Sequence, residues 1–173
     1  MKFIIQLILI VGTGVLFAQE TLPSPSQSEV EPEIFKVVEE MPKFAGCNKI
    51  EGSEKEKMDC SLERLSAYII ENLDYPDEAR DNQTEGTAVV QFIVWNDGSI
   101  GEVYVVRDPG DRCGEALKDL VLTMSDLGIK WSPGLQRGRS VNVLYTLPVE
   151  FSLDGVKISD YKKKKIRERR KRR

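Results

Sequence analysis

From Val141 to Phe151 the chain alternates. Val141, Val143, Tyr145, Leu147, Val149 and Phe151 are apolar, and Asn142, Leu144, Thr146, Pro148 and Glu150 stand between them. A period of two predicts a half-buried β-strand. Pro148 lies inside it, although proline has no N–H to give to a ladder, so the strand is expected at a sheet edge. Two further β-rich runs, "GTAVVQFIVW" and "IGEVYVVR", flank "NDGS", a hairpin turn in which Gly98 takes positive φ. A first strand is expected in "IFKVVEEMP", with Phe35, Val37 and Val38 apolar and Pro42 as its stop.

Helical spacing occurs twice. Leu62, Leu65, Ile69 and Leu73 follow Ser61, a good N-cap, and Pro76 ends this helix after Tyr75. Leu117, Leu120, Val121, Met124 and Leu127 share the face of a second helix, with Gly128 at its C-terminus. The order is β, α, β-hairpin, α, β. An α+β fold, a small mostly antiparallel sheet with two helices on one face, buries these stripes most simply. The folded domain is expected over 34–153.

Both ends change the picture. Lys2, the apolar stretch Phe3–Phe17 and the small Ala18 read as an export signal over 1–18, cleaved before Gln19. The destination is a bacterial envelope, periplasmic if the signal is cleaved and inner-membrane anchored if it is retained. The segment 19–33 is a Pro-, Ser- and Glu-rich linker, expected to be disordered. Residues 154–173 are expected to form a basic disordered tail, and those from Lys162 onward hold ten Lys or Arg and one Glu, a local +9. The chain's net −3 therefore leaves −12 on the rest. A basic tail on an acidic body fits an anionic envelope surface, each cation near such a surface being worth about 1 kcal/mol. Export makes nucleic acid an unsuitable partner.

Cys47 and Cys60 flank "NKIEGSEKEKMD" and offer a disulfide-closed loop, with Cys113 left over. Zinc is the alternative, and neither a histidine nor a C-x-x-C pair is present to support it. No cofactor motif is visible. With no histidine, paired carboxylates, activated nucleophile or phosphate-cradling loop, the residues do not point to an enzyme.

"YPDEA" after a helix, "GTAVVQFIVWNDGSIGEVYVVRD", an amphipathic helix, "KWSPG" and "VNVLYTLPVEF" together resemble the C-terminal domain of TonB-type energy transducers, from about Ile34 to Phe151. "MPKFAGC" and the loop to Cys60 resemble the Bacteroidota-type variant. The resemblance implies a periplasmic, non-catalytic module that grips the TonB-box segment of an outer-membrane TonB-dependent transporter by strand addition. It points to Val141, Asn142, Val143, Leu144 and Tyr145 as the docking strand. Tyr75, Pro76 and Ala79 match its Y-P-x-x-A segment, close to where the partner docks. Trp131, Pro133, Gly134 and Gly138 are expected to shape the entry to the last strand. An envelope scaffold that keeps the fold and self-associates through the same edge is the alternative. The 15-residue linker spans at most roughly 50 Å, short for crossing a periplasm, and a cleaved signal leaves no anchor through which to pull.

Overall fold

The computed structural model describes residues 32–158. The signal-like segment, the linker up to Glu31 and the basic tail from Lys162 lie outside the described residues. The chain adopts the α+β class expected from its pattern. Its strands are β1 (Ile34–Phe35), β2 (Gly86–Val94), β3 (Ile100–Arg107), β4 (Gly134–Gln136), β5 (Arg139–Ser152) and β6 (Gly155–Ile158). Between them run α1 (Glu54–Asn72), α2 (Asp77–Asp81) and α3 (Cys113–Asp126). The main sheet path is β1-β5-β2-β3, with β4 and β6 each paired to β5. The folded part thus runs past 153 into the stretch expected as tail, because β6 continues the β5 hairpin and buries Ile158. All strand pairs are antiparallel except β1 with β5.

Helix α1 starts earlier than the Ser61 cap expected from the sequence. Ser53 is the N-cap: its Oγ accepts from the N–H of Glu56, and the Glu56 carboxylate accepts from the N–H of Ser53. This reciprocal box satisfies two otherwise unpaired donors. The first helical turns are charged, so apolar spacing alone misses them. Ser61 is instead buried in the helix, its Oγ accepting from the N–H of Phe44 at 2.6 Å. That bond fastens the incoming chain to α1, as does Lys43. Its Nζ lies 2.7 Å from Glu54 and 3.2 Å from Glu40, and the hydrogen bond from Lys43 holds the Glu54 carboxyl below its ordinary range.

Cys47 and Cys60 are bonded, joining a short 3-10 turn (Cys47–Lys49) to α1. Replacing both by serine should lower stability by about 3 kcal/mol in the chain-entropy model, read as a lower urea midpoint. Cys113 is a buried free thiol, and burial pushes its pKa up to about 11. A thiol reagent should therefore find one group in the unreduced protein, and only on unfolding.

The core forms where the helices meet one face of the sheet. Leu65 and Ile69 of α1, Leu73 at its C-cap, and Leu117, Leu120, Val121 and Met124 of α3 are buried with Ala88, Val90, Phe92 and Val94 of β2. Tyr145, Leu147, Val149 and Phe151 of β5 complete it. Leu127, expected on the apolar face of α3, is 67% exposed at the helix C-cap. Its position one turn past Met124 places it beyond the sheet-covered part of the stripe.

The β2–β3 turn is more than a reversal. Gly98 (φ +80°) accepts from the N–H of Trp131, and a Cβ there would stand 2.1 Å from the Trp131 carbonyl oxygen. The turn thus seats Trp131, whose ring is buried against Phe44, Phe92 and Tyr145 at centroid distances of 5.0–5.4 Å. Trp131 was expected only to shape the entry to β5, and it is also the centre of an aromatic cluster. Asp97 in the same turn accepts from the Ser99 side chain and from Lys130 Nζ, which together hold its carboxyl well below the usual range.

Candidate functional site: the outer edge of β5

Pro148 predicts an edge strand, yet β5 lies inside the sheet. One side pairs with β2 without a break from Val143 to Phe151. On the other side β1 takes Asn142 and Val143, and β6 takes Val149 to Ser152. Between them, Leu144 to Pro148 pairs with no strand on that side among the described residues. β5 is an interior strand with a window in its outer edge.

The strand register explains why proline fits. Ser152 and Gly155 close the Leu153–Asp154 turn, so the backbone groups of Ser152 face β6. Successive residues face opposite edges, so Glu150, Pro148, Thr146, Leu144 and Asn142 also turn their backbone outward. The missing N–H of Pro148 therefore faces the window, and the β2–β5 ladder keeps all its donors. Proline here blunts one end of an open edge without weakening the sheet. Within the window, Leu144 and Thr146 have the outward N–H and C=O groups.

The expected docking residues divide between two situations. Val141 pairs with Gly134 of β4, and Asn142 and Val143 hold β1, so only Leu144 and Tyr145 fall in the window. Asn142 is the pivot of that end. Its Nδ2 donates to the carbonyl of Glu33 at 3.1 Å, and its Oδ1 accepts from the N–H of Asn96 at 3.0 Å. Tyr145 points inward, its ring packed on Phe92 and Trp131.

Burial pushes the Tyr145 phenol up to about 12. Between the ordinary tyrosine value and that one, the unfolded chain binds fewer protons than the folded chain. Stability from this group is complete below pH ~10 and falls by about 1.4 kcal/mol per pH unit up to about pH 12. Urea midpoints measured from pH 9 to 12 should fall more steeply in the wild type than in Tyr145→Phe.

Tyr75, Pro76 and Ala79 lie toward the β6 end of β5. The Tyr75 hydroxyl donates to the carbonyl of Thr84 at 2.5 Å, and its ring packs edge-on against Phe151. Pro76 caps α2, a helix the sequence reading did not separate from the turn, and Ala79 is fully buried beneath it. Beside Tyr75, a shallow pocket is lined by Ile70, Leu73, Arg80, Leu153 and Val156, with Ile70 and Leu153 largely exposed. Asn142 as a clasp and β6 as the second boundary of the window were not read from the sequence. The "NVLY" alternation marks the strand but says nothing of its neighbours.

Among the described residues no group of three His, Cys, Asp or Glu side chains is placed to hold a metal ion. Nor is any helix there long and apolar enough to cross a membrane.

Residues 71–153 match the family model described as Gram-negative bacterial TonB protein C-terminal. That span runs from the end of α1 to the β5–β6 turn and contains the window; β1 and the disulfide precede it. Two solved structures are similar, both NMR solution structures of the Helicobacter pylori TonB-CTD. The one covering its residues 179–285 is 21% identical, with 60% of this chain and 85% of that chain covered and a TM-score of 0.43. The one covering 194–285 is 22% identical, with 53% and 92% covered and a TM-score of 0.39. No curated protein matches. The family match over 71–153 agrees with the resemblance to the TonB C-terminal family drawn from the sequence.

Proposed function

We propose that this TonB C-terminal-like chain is a periplasmic binding module that engages outer-membrane TonB-dependent transporters by strand addition, in support of energy-coupled nutrient import. The observation that carries this reading is the window from Leu144 to Pro148. It is a stretch of a long, well-buried strand that pairs with β2 on one side and, among the described residues, with no strand on the other, inside the span that matches the family. Added strands gain affinity from main-chain hydrogen bonds, and the side chains around the edge select the partner. Here the polar Thr146 and the half-buried Leu144 and Pro148 frame the edge, while the core beneath holds it rigid. The family model that matches is one of Gram-negative TonB C-termini, which are envelope binding domains, and this supports the reading.

Calorimetry with synthetic peptides from the periplasm-facing N-terminal segments of the organism's transporters tests the reading. Saturable binding by at least one peptide is expected, and none by a scrambled version. Absence of binding by every peptide to the folded protein would refute it.

One observation favours a scaffold, but through a different edge from the β5 edge expected for it. The outer edge of β3 is the free end of the main sheet path among the described residues, and Tyr104 and Val106 are exposed on that strand. Sedimentation that shows concentration-dependent dimers, abolished by Val106→Lys, would support it. The basic segment 162–173 is proposed to hold the domain to anionic envelope surfaces. Co-sedimentation with anionic vesicles should weaken sharply when those residues are deleted.

A further inference from the structure

The window offers few donors for a grip. Leu144 to Pro148 has the five residues of a usual short strand, but its outward amides are only those of Leu144 and Thr146, because Pro148 has none. The next outward position is Asn142, and β1 holds it. We infer that β1 is a built-in competitor for the docking edge, and that a partner strand takes its place on Asn142 and Val143. The inference rests on the strand-addition reading above.

Three observations carry it. First, β1 is itself a strand added to this edge: Ile34 pairs with Asn142 and Phe35 with Val143, in parallel. The edge therefore accepts an extended segment there. Second, β1 is lightly held. It has two residues, Ile34 is 39% exposed, and neither side chain belongs to the buried core. A side-chain clasp stands just before it, the Asn142 amide donating to the Glu33 carbonyl. After Phe35 the chain leaves the edge, and Glu40 and Lys43 instead bridge to Leu135 and Ser132. Among the described residues, the lane along Leu144 to Pro148 is left open beside β1. Third, the lane is continuous. A strand that displaces β1 runs past Asn142, Leu144 and Thr146 before Pro148 and β6 stop it.

Chain order adds a consequence. Everything N-terminal of the domain enters through β1, so tension from that side reaches β1 before it reaches the core. Tension that peels β1 away uncovers the full edge, and slack lets β1 return and compete. The competition lowers apparent affinity by the fraction of time that β1 is off the edge.

The test uses the full chain carrying Ile34→Pro and Phe35→Pro together. These substitutions break β1 pairing and leave the core residues untouched. Calorimetry with the tightest-binding transporter peptide should show affinity increased about tenfold, as for a competitor seated roughly nine-tenths of the time. In the wild-type protein, the same peptide should shift the amide signals of Ile34 and Phe35 to positions of unstructured chain. Equal or weaker affinity in the variant, with those two signals unmoved in the wild type, would overturn the inference and confine docking to Leu144–Pro148. Failure of both proteins to bind would remove the strand-addition reading and this inference with it.

Discussion

Phe92→Ala should lower the stability of the domain by about 3–5 kcal/mol, the largest loss expected from one side chain here. Phe92 is fully buried, lies opposite Tyr145 in the β2–β5 register, and packs on the rings of Trp131 and Tyr145. Its removal leaves a hole between the two longest strands and the aromatic cluster. The surrounding rings are held by Gly98, by α1 and by the disulfide-tied loop, so collapse into the space is limited. Against a total stability of about 5–15 kcal/mol for a domain, such a loss brings the protein close to unfolding. A urea titration should show a much lower midpoint with an unchanged slope. A loss under 1 kcal/mol would mean that the aromatic cluster is not the centre of the core.

Thr146→Pro should do the opposite: leave the fold nearly intact and abolish the grip. Thr146 turns its N–H to the window, so β2 loses no ladder bond. Its hydroxyl accepts one exposed bond from Gln91, worth about 1 kcal/mol or less to stability. For an incoming strand the substitution removes a main-chain donor and leaves the partner's carbonyl unsatisfied. Affinity for a transporter peptide should fall about a hundredfold. Pro148 already does this at one end of the window, and the substitution moves the block to its middle. Unchanged affinity would place docking on another edge.

Much of this was legible in the sequence, for physical reasons that differ by element. β2, β3 and β5 each cover a helix-packed face, so their alternation is clear. The "NDGS" turn carries the glycine that its positive φ requires. The stripe from Leu117 to Met124 is written at helical period because only one face of α3 is buried. The cysteine pairing followed from a closed polar loop. What was missed lies where local pattern is weak. The start of α1 is charged and signalled only by its capping box. β4 and α2 are too short to show a period, and β6 follows a turn of mixed character.

The place of β5 in the sheet differs from the expected edge for another reason. Proline in a strand suggests an edge strand, but it requires only that one amide face an open lane. An interior strand whose outer neighbours stop at Val143 and resume at Val149 meets that requirement. Pairing between distant segments sets that geometry, and no local pattern encodes it. The same long-range pairing placed β1 on two of the five residues expected to dock, Asn142 and Val143.

The most direct measurement is a backbone amide NMR titration of the protein with transporter N-terminal peptides, followed by hydrogen exchange on the complex. Saturable shifts centred on Leu144 and Thr146 are expected, with slowed exchange at those two amides and at Asn142. Shifts confined to β3 with Leu144 and Thr146 unaltered, or none anywhere in a folded protein, would contradict docking at the β5 window.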